Sequence, residues 1–371
     1  MLNRINFYLP TRVIFGSGSI KDFLPNVRYL GNKFLIATGR NFARSSGLLD
    51  FVCKIMEEAN LSFQVFEGIS PEPTIDDCVK VAQAGKIFGA DVIIALGGGS
   101  AMDVGKAAAV LIMNPGNLRD FFGEEKFDNE PLPVIAIPTT CGSGSEVTRY
   151  AVIIDPQENT KKTVSSERII PKLAILDPTI LRTLPSALVA GTSMDALSHA
   201  IEGFLSIKAN HITRMFSRES INLIKNNIIE AVTTGASEKL ELVFLGSLYA
   251  GFVINHTGTI FVHGMAYGLA IKYGIHHGTA NALCLPYALT FLKEHGYFHD
   301  VEEIEKILTV DTLFDIYKKI GIPIKLSDIG LGQKDIKQLA EMAVKGCERS
   351  FRNMRVTFGM NDFIEIFSRM L

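Results

Sequence analysis

Four residues in the second half of the chain have the types, and two of them the spacing, that would hold a metal ion. In Met194-Asp195-Ala-Leu-Ser-His199 a carboxylate and an imidazole stand at i and i+4, one turn apart on one helix face. His263 and His277 follow, in Phe261-Val-His263-Gly and Gly274-Ile-His276-His277-Gly278. On one unbroken helix these two would lie about 21 Å apart, so they share an ion only if the chain turns between them, and Gly274 and Gly278 suit such a turn. One carboxylate and three imidazoles fit a borderline divalent ion, Fe²⁺ or Zn²⁺, better than Mg²⁺ or Ca²⁺, which prefer all-oxygen shells. A single helical histidine is more often a surface or core residue, and an Asp/His pair one turn apart is common by chance. The metal reading therefore rests on the four together and on what the first half contains.

The first half offers two polar, glycine-containing loops. Leu96 is followed by Gly97-Gly98-Gly99-Ser100-Ala-Met-Asp103-Val-Gly-Lys106 and an alanine-rich helix. A strand that ends in glycines and opens a helix brings backbone N–H groups and the helix dipole close to a pyrophosphate, although a tight βα turn would look similar. The second loop, Pro138-Thr139-Thr140-Cys-Gly-Ser143-Gly-Ser-Glu-Val-Thr148, offers hydroxyls of Thr139, Thr140 and Ser143 to phosphate or ribose, or else caps a helix. Both follow β-branched runs, as expected of ligand loops at the carboxyl ends of parallel strands.

The elements that must position these residues fall into two halves. Short strands alternate with helices at Arg12 to Phe15, Lys33 to Thr38, Phe63 to Phe66, Asp91 to Leu96, Val134 to Ile137 and Leu173 to Leu176, predicting βαβ units and a mostly parallel sheet. After Thr183 the period becomes helical throughout: Ser186 to Leu205, Ile212 to Ala231, Glu238 to Ile254, Leu313 to Ile320 and Ile336 to Cys347. The expectation is an α/β dinucleotide-binding domain over 1–183 and an all-α metal and substrate domain over 184–371.

Composition narrows the class. The 371 residues are 47% hydrophobic, with 37 basic against 39 acidic side chains, and no lysine or arginine cluster exceeds Lys161-Lys162 or Lys318-Lys319, so nucleic acid is not an expected partner. Apolar runs such as Ala107 to Met113 fall short of the roughly 20 residues that span a bilayer, and Met1 to Pro10 does not read as a secretory signal. A cytoplasmic protein without a membrane partner is expected. Five scattered cysteines without a C-x-x-C pair argue against disulfides and thiolate metal sites, and read as buried small hydrophobes.

In order and spacing, the glycine loop, the Pro138 to Thr148 loop, Gly191-Thr-Ser-Met-Asp195-Ala-Leu-Ser-His199-Ala-Ile-Glu-Gly203, and His263 through Gly278 resemble the iron-dependent alcohol dehydrogenases. The similarity runs from Phe7-Tyr-Leu-Pro-Thr-Arg-Val-Ile-Phe-Gly16 over nearly the whole chain. It implies a metal held by Asp195, His199, His263 and His277, hydride exchange between NAD(P)(H) and a small primary alcohol or aldehyde, and a homodimer or larger assembly. By position it assigns the pyrophosphate to Gly97, Gly98, Gly99 and Ser100, the nicotinamide ribose to the neighbourhood of Asp103, the cofactor groove to Thr139, Thr140 and Ser143, and a ribose contact to Lys161. Fe²⁺ is the metal it implies, with Zn²⁺ as the alternative.

Two positions depart from that pattern. Many family members carry a histidine four residues after the third ligand, where this chain has Tyr267, leaving Tyr267, His276, water or ribose hydroxyls to move the proton. Where NAD-linked members tend to carry an aspartate that repels a 2′-phosphate, this chain reads Gly39-Arg40-Asn-Phe-Ala-Arg44, which predicts a preference for NADP(H) over NAD(H). Alternatives within the fold are a polyol dehydrogenase of the glycerol type and a metal-free maleylacetate-type reductase, which the full ligand set disfavours. A dehydroquinate synthase-like lyase would call for cations near the ligands, and none lies inside a ligand motif.

Overall fold

The computed structural model describes residues 5–158 and 160–371; the Met1 to Pro10 segment considered above as a leader lies partly outside these. Contacts divide the chain into two compact units. One comprises Leu9–Thr140 and Ser145–Thr183; the other comprises the described residues up to Tyr8, Cys141–Gly144 and Leu184–Leu371. The second polar loop is thus shared: Thr139 and Thr140 belong to the first unit, Ser143 to the second.

The first unit is built on strands β1 (Arg12–Phe15), β2 (Lys33–Gly39), β3 (Ser62–Ile69), β4 (Val92–Gly97), β5 (Gly123–Glu124), β6 (Val134–Pro138), β7 (Tyr150–Asp155), β8 (Thr160–Ser165) and β9 (Leu173–Leu176). Its helices are α1 (Ser19–Phe23), α2 (Phe42–Ser45), α3 (Leu48–Glu58), α4 (Ile75–Phe88) and α5 (Gly99–Met113). Six strands pair in parallel in the order β1-β9-β6-β4-β2-β3. β4 is buried along its whole length, because helices cover both faces of a parallel sheet and favour its Val-Ile-Ile-Ala-Leu run. From β2 the chain steps outward to β3 and then returns to β4 on the other side, so the strand order reverses between β2 and β4, and ligands gather at the carboxyl ends flanking such a reversal. Thr38 pairs with Leu96 across these strands, which sets Gly39 level with Gly97.

A second, three-stranded sheet of β5, β8 and β7 was not expected from the sequence. β7 alternates half-buried and buried residues and carries the apolar run Ala151 to Ile154, whereas β8 is half-buried from Thr160 to Thr163, includes Lys161-Lys162 and lacks the continuous apolar run that marks a central strand.

The second unit is helical: α6 (Ser186–Leu205), α7 (His211–Thr234), α8 (Ser237–Thr257), α9 (Phe261–Tyr273), α10 (His277–Glu294), α11 (Phe298–Glu305), α12 (Val310–Ile320), α13 (Gln333–Cys347) and α14 (Met360–Arg369). Helix α6 is buried on all sides from Ser193 to Leu205 and is the core helix of this unit. α8 is long and apolar enough to cross a membrane, contrary to the reading from apolar runs, but 72% of its apolar stretch is buried inside the protein, as in a core helix. Cys78, Cys141, Cys284 and Cys347 are buried, whereas Cys53 is half-buried.

Candidate metal and cofactor sites

Helix α6 carries Asp195 and His199 one turn apart, both buried. The required turn between His263 and His277 is present: α9 ends at Tyr273, Gly274 takes a left-handed φ of +67°, and α10 starts at His277. Gly278 serves differently from the expectation that it helps the turn. It lies inside α10, and a Cβ there would fall 2.1 Å from the Gly191 carbonyl oxygen and 3.0 Å from Asp195 Cβ. Absence of a side chain at Gly278 lets α10 approach α6 closely enough to bring His277 to Asp195.

Asp195 Oδ1 lies 3.5 Å from His263 Nε2 and 3.9 Å from Nε2 of both His199 and His277. One ligand atom from each of Asp195, His263 and His277 falls within 4.8 Å of the others. His199 joins them through His263, its Nε2 2.9 Å from His263 Nε2 and the two rings stacked at 4.6 Å.

The hydrogens on these rings follow from their other partners. Glu202 is fully buried; Oε1 accepts from Ser198 Oγ at 2.9 Å and from His263 Nδ1, and Oε2 accepts from the Ile260 N–H at 2.9 Å. His199 Nδ1 faces the Gly142 carbonyl oxygen at 3.3 Å. A carboxylate and a carbonyl only accept, so both Nδ1 atoms carry hydrogen and both Nε2 atoms turn a lone pair toward the centre. Two lone pairs facing each other at 2.9 Å call for positive charge between them, a proton or a cation. Burial opposes a charge on His263, but the carboxylates of Glu202 and Asp195 outweigh it and lift its pKa to about 10. Burial, with the charge of His263, lowers that of His199. Burial likewise opposes the Asp195 charge, yet the three imidazoles hold its carboxyl well below the usual range. One carboxylate and three nitrogens converging in a buried space fit a divalent transition ion by number and by donor type.

Tyr267, one turn after His263 on α9, stacks on His277 with ring centroids 5.9 Å apart. Burial pushes its hydroxyl up to about 12. His276 is exposed at the start of α10.

In the α/β unit, Gly98 caps α5 in extended geometry, and Gly98 packs so close to Thr140 that a Cβ would come 3.2 Å from its Oγ1. The Thr139 N–H donates to the Gly97 carbonyl at 3.0 Å, tying the two polar loops together. Ser100 Oγ donates to the Pro71 carbonyl at 2.5 Å. Asp103 is engaged by the protein: Oδ1 accepts from Ser145 Oγ at 2.6 Å and Oδ2 from the Val152 N–H at 2.9 Å. Lys161 lies on β8, opposite Ile154, with Nζ 2.9 Å from Glu72. At the end of β2, a Cβ on Gly39 would meet only the Ile69 carbonyl, at 3.8 Å. Arg40 donates to the Gly68 carbonyl and Ser70 Oγ, whereas Arg44 is held between Glu67 and Asp50.

Three polar residues escaped the sequence reading. Glu202 stood in the quoted α6 motif, and a carboxylate inside a helix buried all round was its signal. Lys106 is the same signal in α5: wholly buried, its Nζ donates to Ser145 Oγ at 2.7 Å and to the carbonyls of Thr148 and Tyr150 at 2.9 Å each. Burial lowers its pKa to about 8, against the opposing charges of Asp103 and Glu146. The third, Asn281, sits one turn after His277.

Comparison with known proteins gives the same direction. The model of the iron-containing alcohol dehydrogenases matches residues 10–178, and that of the family's C-terminal region matches 189–370. The chain belongs to the iron-containing alcohol dehydrogenase family. It is therefore a metal-dependent oxidoreductase of alcohols and aldehydes, with an α/β nucleotide-type unit and a helical unit. A 1,3-propanediol dehydrogenase of Klebsiella pneumoniae is 32% identical, covering 92% of each chain. An NAD-dependent methanol dehydrogenase of Bacillus methanolicus is 30% identical over 91% of this chain and 93% of its own. The crystal structure of an iron-containing alcohol dehydrogenase from Thermotoga maritima superposes with a TM-score of 0.89 over 99% of both chains, at 31% identity.

Proposed function

We propose that this family member interconverts a small primary alcohol and its aldehyde, using iron on Asp195, His199, His263 and His277 and a nicotinamide dinucleotide on the loops after β2, β4 and β6. The observation that carries the proposal is the facing pair of imidazole lone pairs beside the Asp195 carboxylate. A divalent ion held there supplies a Lewis acid that polarises a substrate oxygen, and the dinucleotide supplies or accepts the hydride. The chain's own residues do the rest. Asp195 contributes one negative charge, three neutral imidazoles contribute direction, and Glu202 fixes the His263 tautomer so that Nε2 points inward. Gly97, Gly98, Gly99 and Ser100 open α5 toward a pyrophosphate, and Thr139, Thr140 and Ser143 supply hydroxyls beside it. Asp103, which accepts from Ser145, and Lys161, paired with Glu72, are the residues the family resemblance assigns to the ribose.

Division of labour between residues 1–183 and 184–371 and a cytoplasmic location, both read from the sequence pattern, and a homodimeric or larger assembly, implied by the family resemblance, are part of the same proposal. So is a preference for NADP(H). It now rests on Gly39 and Arg40, because Glu67 and Asp50 engage Arg44; against it stands the methanol dehydrogenase relative, which is NAD-dependent.

Metal analysis of the purified protein, with absorbance of the reduced nicotinamide followed on a panel of alcohols and aldehydes, tests the whole. A stoichiometric divalent ion and turnover of short primary alcohols are expected. A protein without metal affinity, or one inert toward every alcohol and aldehyde with both dinucleotides, would overturn it. Higher kcat/KM with NADH than with NADPH would remove the cofactor preference alone.

A further inference from the structure

Asn281 lies on α10 one turn after His277, fully buried. Its Nδ2 is 2.7 Å from Asp195 Oδ1, 3.1 Å from His263 Nε2 and 3.2 Å from His277 Nε2. The amide orientation is fixed by chemistry, since a carboxylate oxygen at 2.7 Å only accepts and the group facing it must be the NH₂. One amide nitrogen thus touches the same three residues whose ligand atoms all lie within 4.8 Å of one another. Its Oδ1 has no hydrogen-bond partner among the described residues. Leaving a buried acceptor unsatisfied is costly, so the residue is held here by what Nδ2 does.

We infer that Asn281 is a positioning residue for the metal: it gathers Asp195, His263 and His277 before an ion arrives and afterwards keeps Asp195 aimed by donating to its ligating oxygen. The inference rests on the metal reading above. Two hydrogens on Nδ2 cannot serve three acceptors linearly, and an ion that takes the lone pairs of the two Nε2 atoms removes two of them. Asp195 Oδ1, if it gave one lone pair to an ion, would still have another to offer. The bond at 2.7 Å is therefore the one compatible with both states, and it disfavours a swing of the carboxylate toward two-oxygen coordination. Outer partners of this kind are worth about 10- to 100-fold in metal affinity.

The test titrates Co²⁺ into metal-free wild type, Asn281→Ala and Asn281→Leu, reading the visible absorption of the bound ion and its dissociation constant by competition with a chelator. Asn281→Leu keeps the side chain's approximate volume while removing both polar atoms, so it separates hydrogen bonding from packing. Asn281→Ser, smaller and still a donor, serves if the other two do not fold. A 10- to 100-fold weaker Co²⁺ affinity in Ala and Leu alike, with an altered spectrum, supports the inference; for Ser, an intermediate loss does. Wild-type affinity and spectrum in the Leu or Ser variant, beside a wild type that binds, overturn the inference alone. Failure of the wild type itself to bind Co²⁺ overturns the metal reading and this inference with it.

Discussion

The helical unit and the α/β unit solve the same problem, holding polar atoms ready for a ligand, with opposite materials. Around Asp195 the proposed ligand atoms belong to side chains on three helices, and the buried Glu202 and Asn281 hydrogen-bond to them. Around Gly97 the proposed pyrophosphate contacts are backbone N–H groups, and the buried Lys106 and the half-buried Asp103 tie down the stretch from Ser145 to Val152. A side-chain site concentrates its chemistry in a few irreplaceable residues. A backbone site spreads it, so that its supports become the vulnerable points. Substitutions in the two regions should therefore fail in different ways, the first losing chemistry with the fold intact and the second losing fold and cofactor together.

The largest effect is expected from His277→Ala or His263→Ala. Either removes one of four donors and should abolish most metal binding and all but about a thousandth of turnover, since metal assistance is worth several kcal/mol of barrier. Thermal unfolding of the α/β unit and binding of the reduced dinucleotide, read by its fluorescence, should hardly change. Full metal content in either variant would break the comparison at its stronger end.

Next comes Lys106→Met. The isosteric thioether leaves Ser145 and the carbonyls of Thr148 and Tyr150 without their donor and strips Asp103 and Glu146 of the nearest cation. Breaking a buried charge pair in this way costs about 3–5 kcal/mol. Urea unfolding should show that loss, with weaker dinucleotide binding and unchanged metal content. A variant as stable as the parent would show that the loop needs no such support.

The same contrast explains what was legible in the sequence. Asp195 and His199 announce themselves because helix geometry converts a spacing of four into one face, and the six central strands because β-branched runs alternate with helices. The closure of His263 on His277 was legible only as a condition, met by Gly274. Glu202 and Asn281 were not read as parts of the site, because a single polar residue in an apolar helix says that it has a partner without saying which. β8 was missed because a half-buried strand with two lysines carries little apolar pattern, whereas the Ala151 to Ile154 run of β7 was legible and was passed over. At the end of β2 the absence of a carboxylate was visible, but Glu67 arrives there from β3, and only pairing of the strands brings it to Arg44.

A smaller effect sharpens the picture of the α/β unit through pH. Burial raises the Glu146 carboxyl from 4.5 to about 7, the charge of Lys106 only partly opposing it. Between these values the folded protein keeps a proton that the unfolded chain has lost. Its contribution to stability is present below about pH 4.5 and is lost as pH rises to 7, a fall on the order of 2–3 kcal/mol. Glu146→Gln removes the titration, so urea midpoints measured at pH 5 and pH 7 should differ less in the variant than in the parent. An unchanged pH slope would place the proton elsewhere.

The smallest effect is expected at Tyr267, where the two kinds of site are easiest to confuse. General acid or base help is worth about 10²- to 10⁴-fold, and it is most effective when the group's pKa lies near the working pH. Burial sets the Tyr267 hydroxyl at about 12, far from neutrality, which makes it a poor relay. Its ring, by contrast, stacks on His277 at 5.9 Å and helps to hold that ligand. Tyr267→Phe keeps the ring and removes the hydroxyl, so kcat should fall less than tenfold, with metal content intact. Tyr267→Ala removes both, and should lose more activity than Phe together with part of the metal. The pair of variants, assayed for kcat and bound metal in the same preparations, separates a residue that packs from one that passes protons. A hundredfold fall in the Phe variant at full metal occupancy would make the hydroxyl the relay.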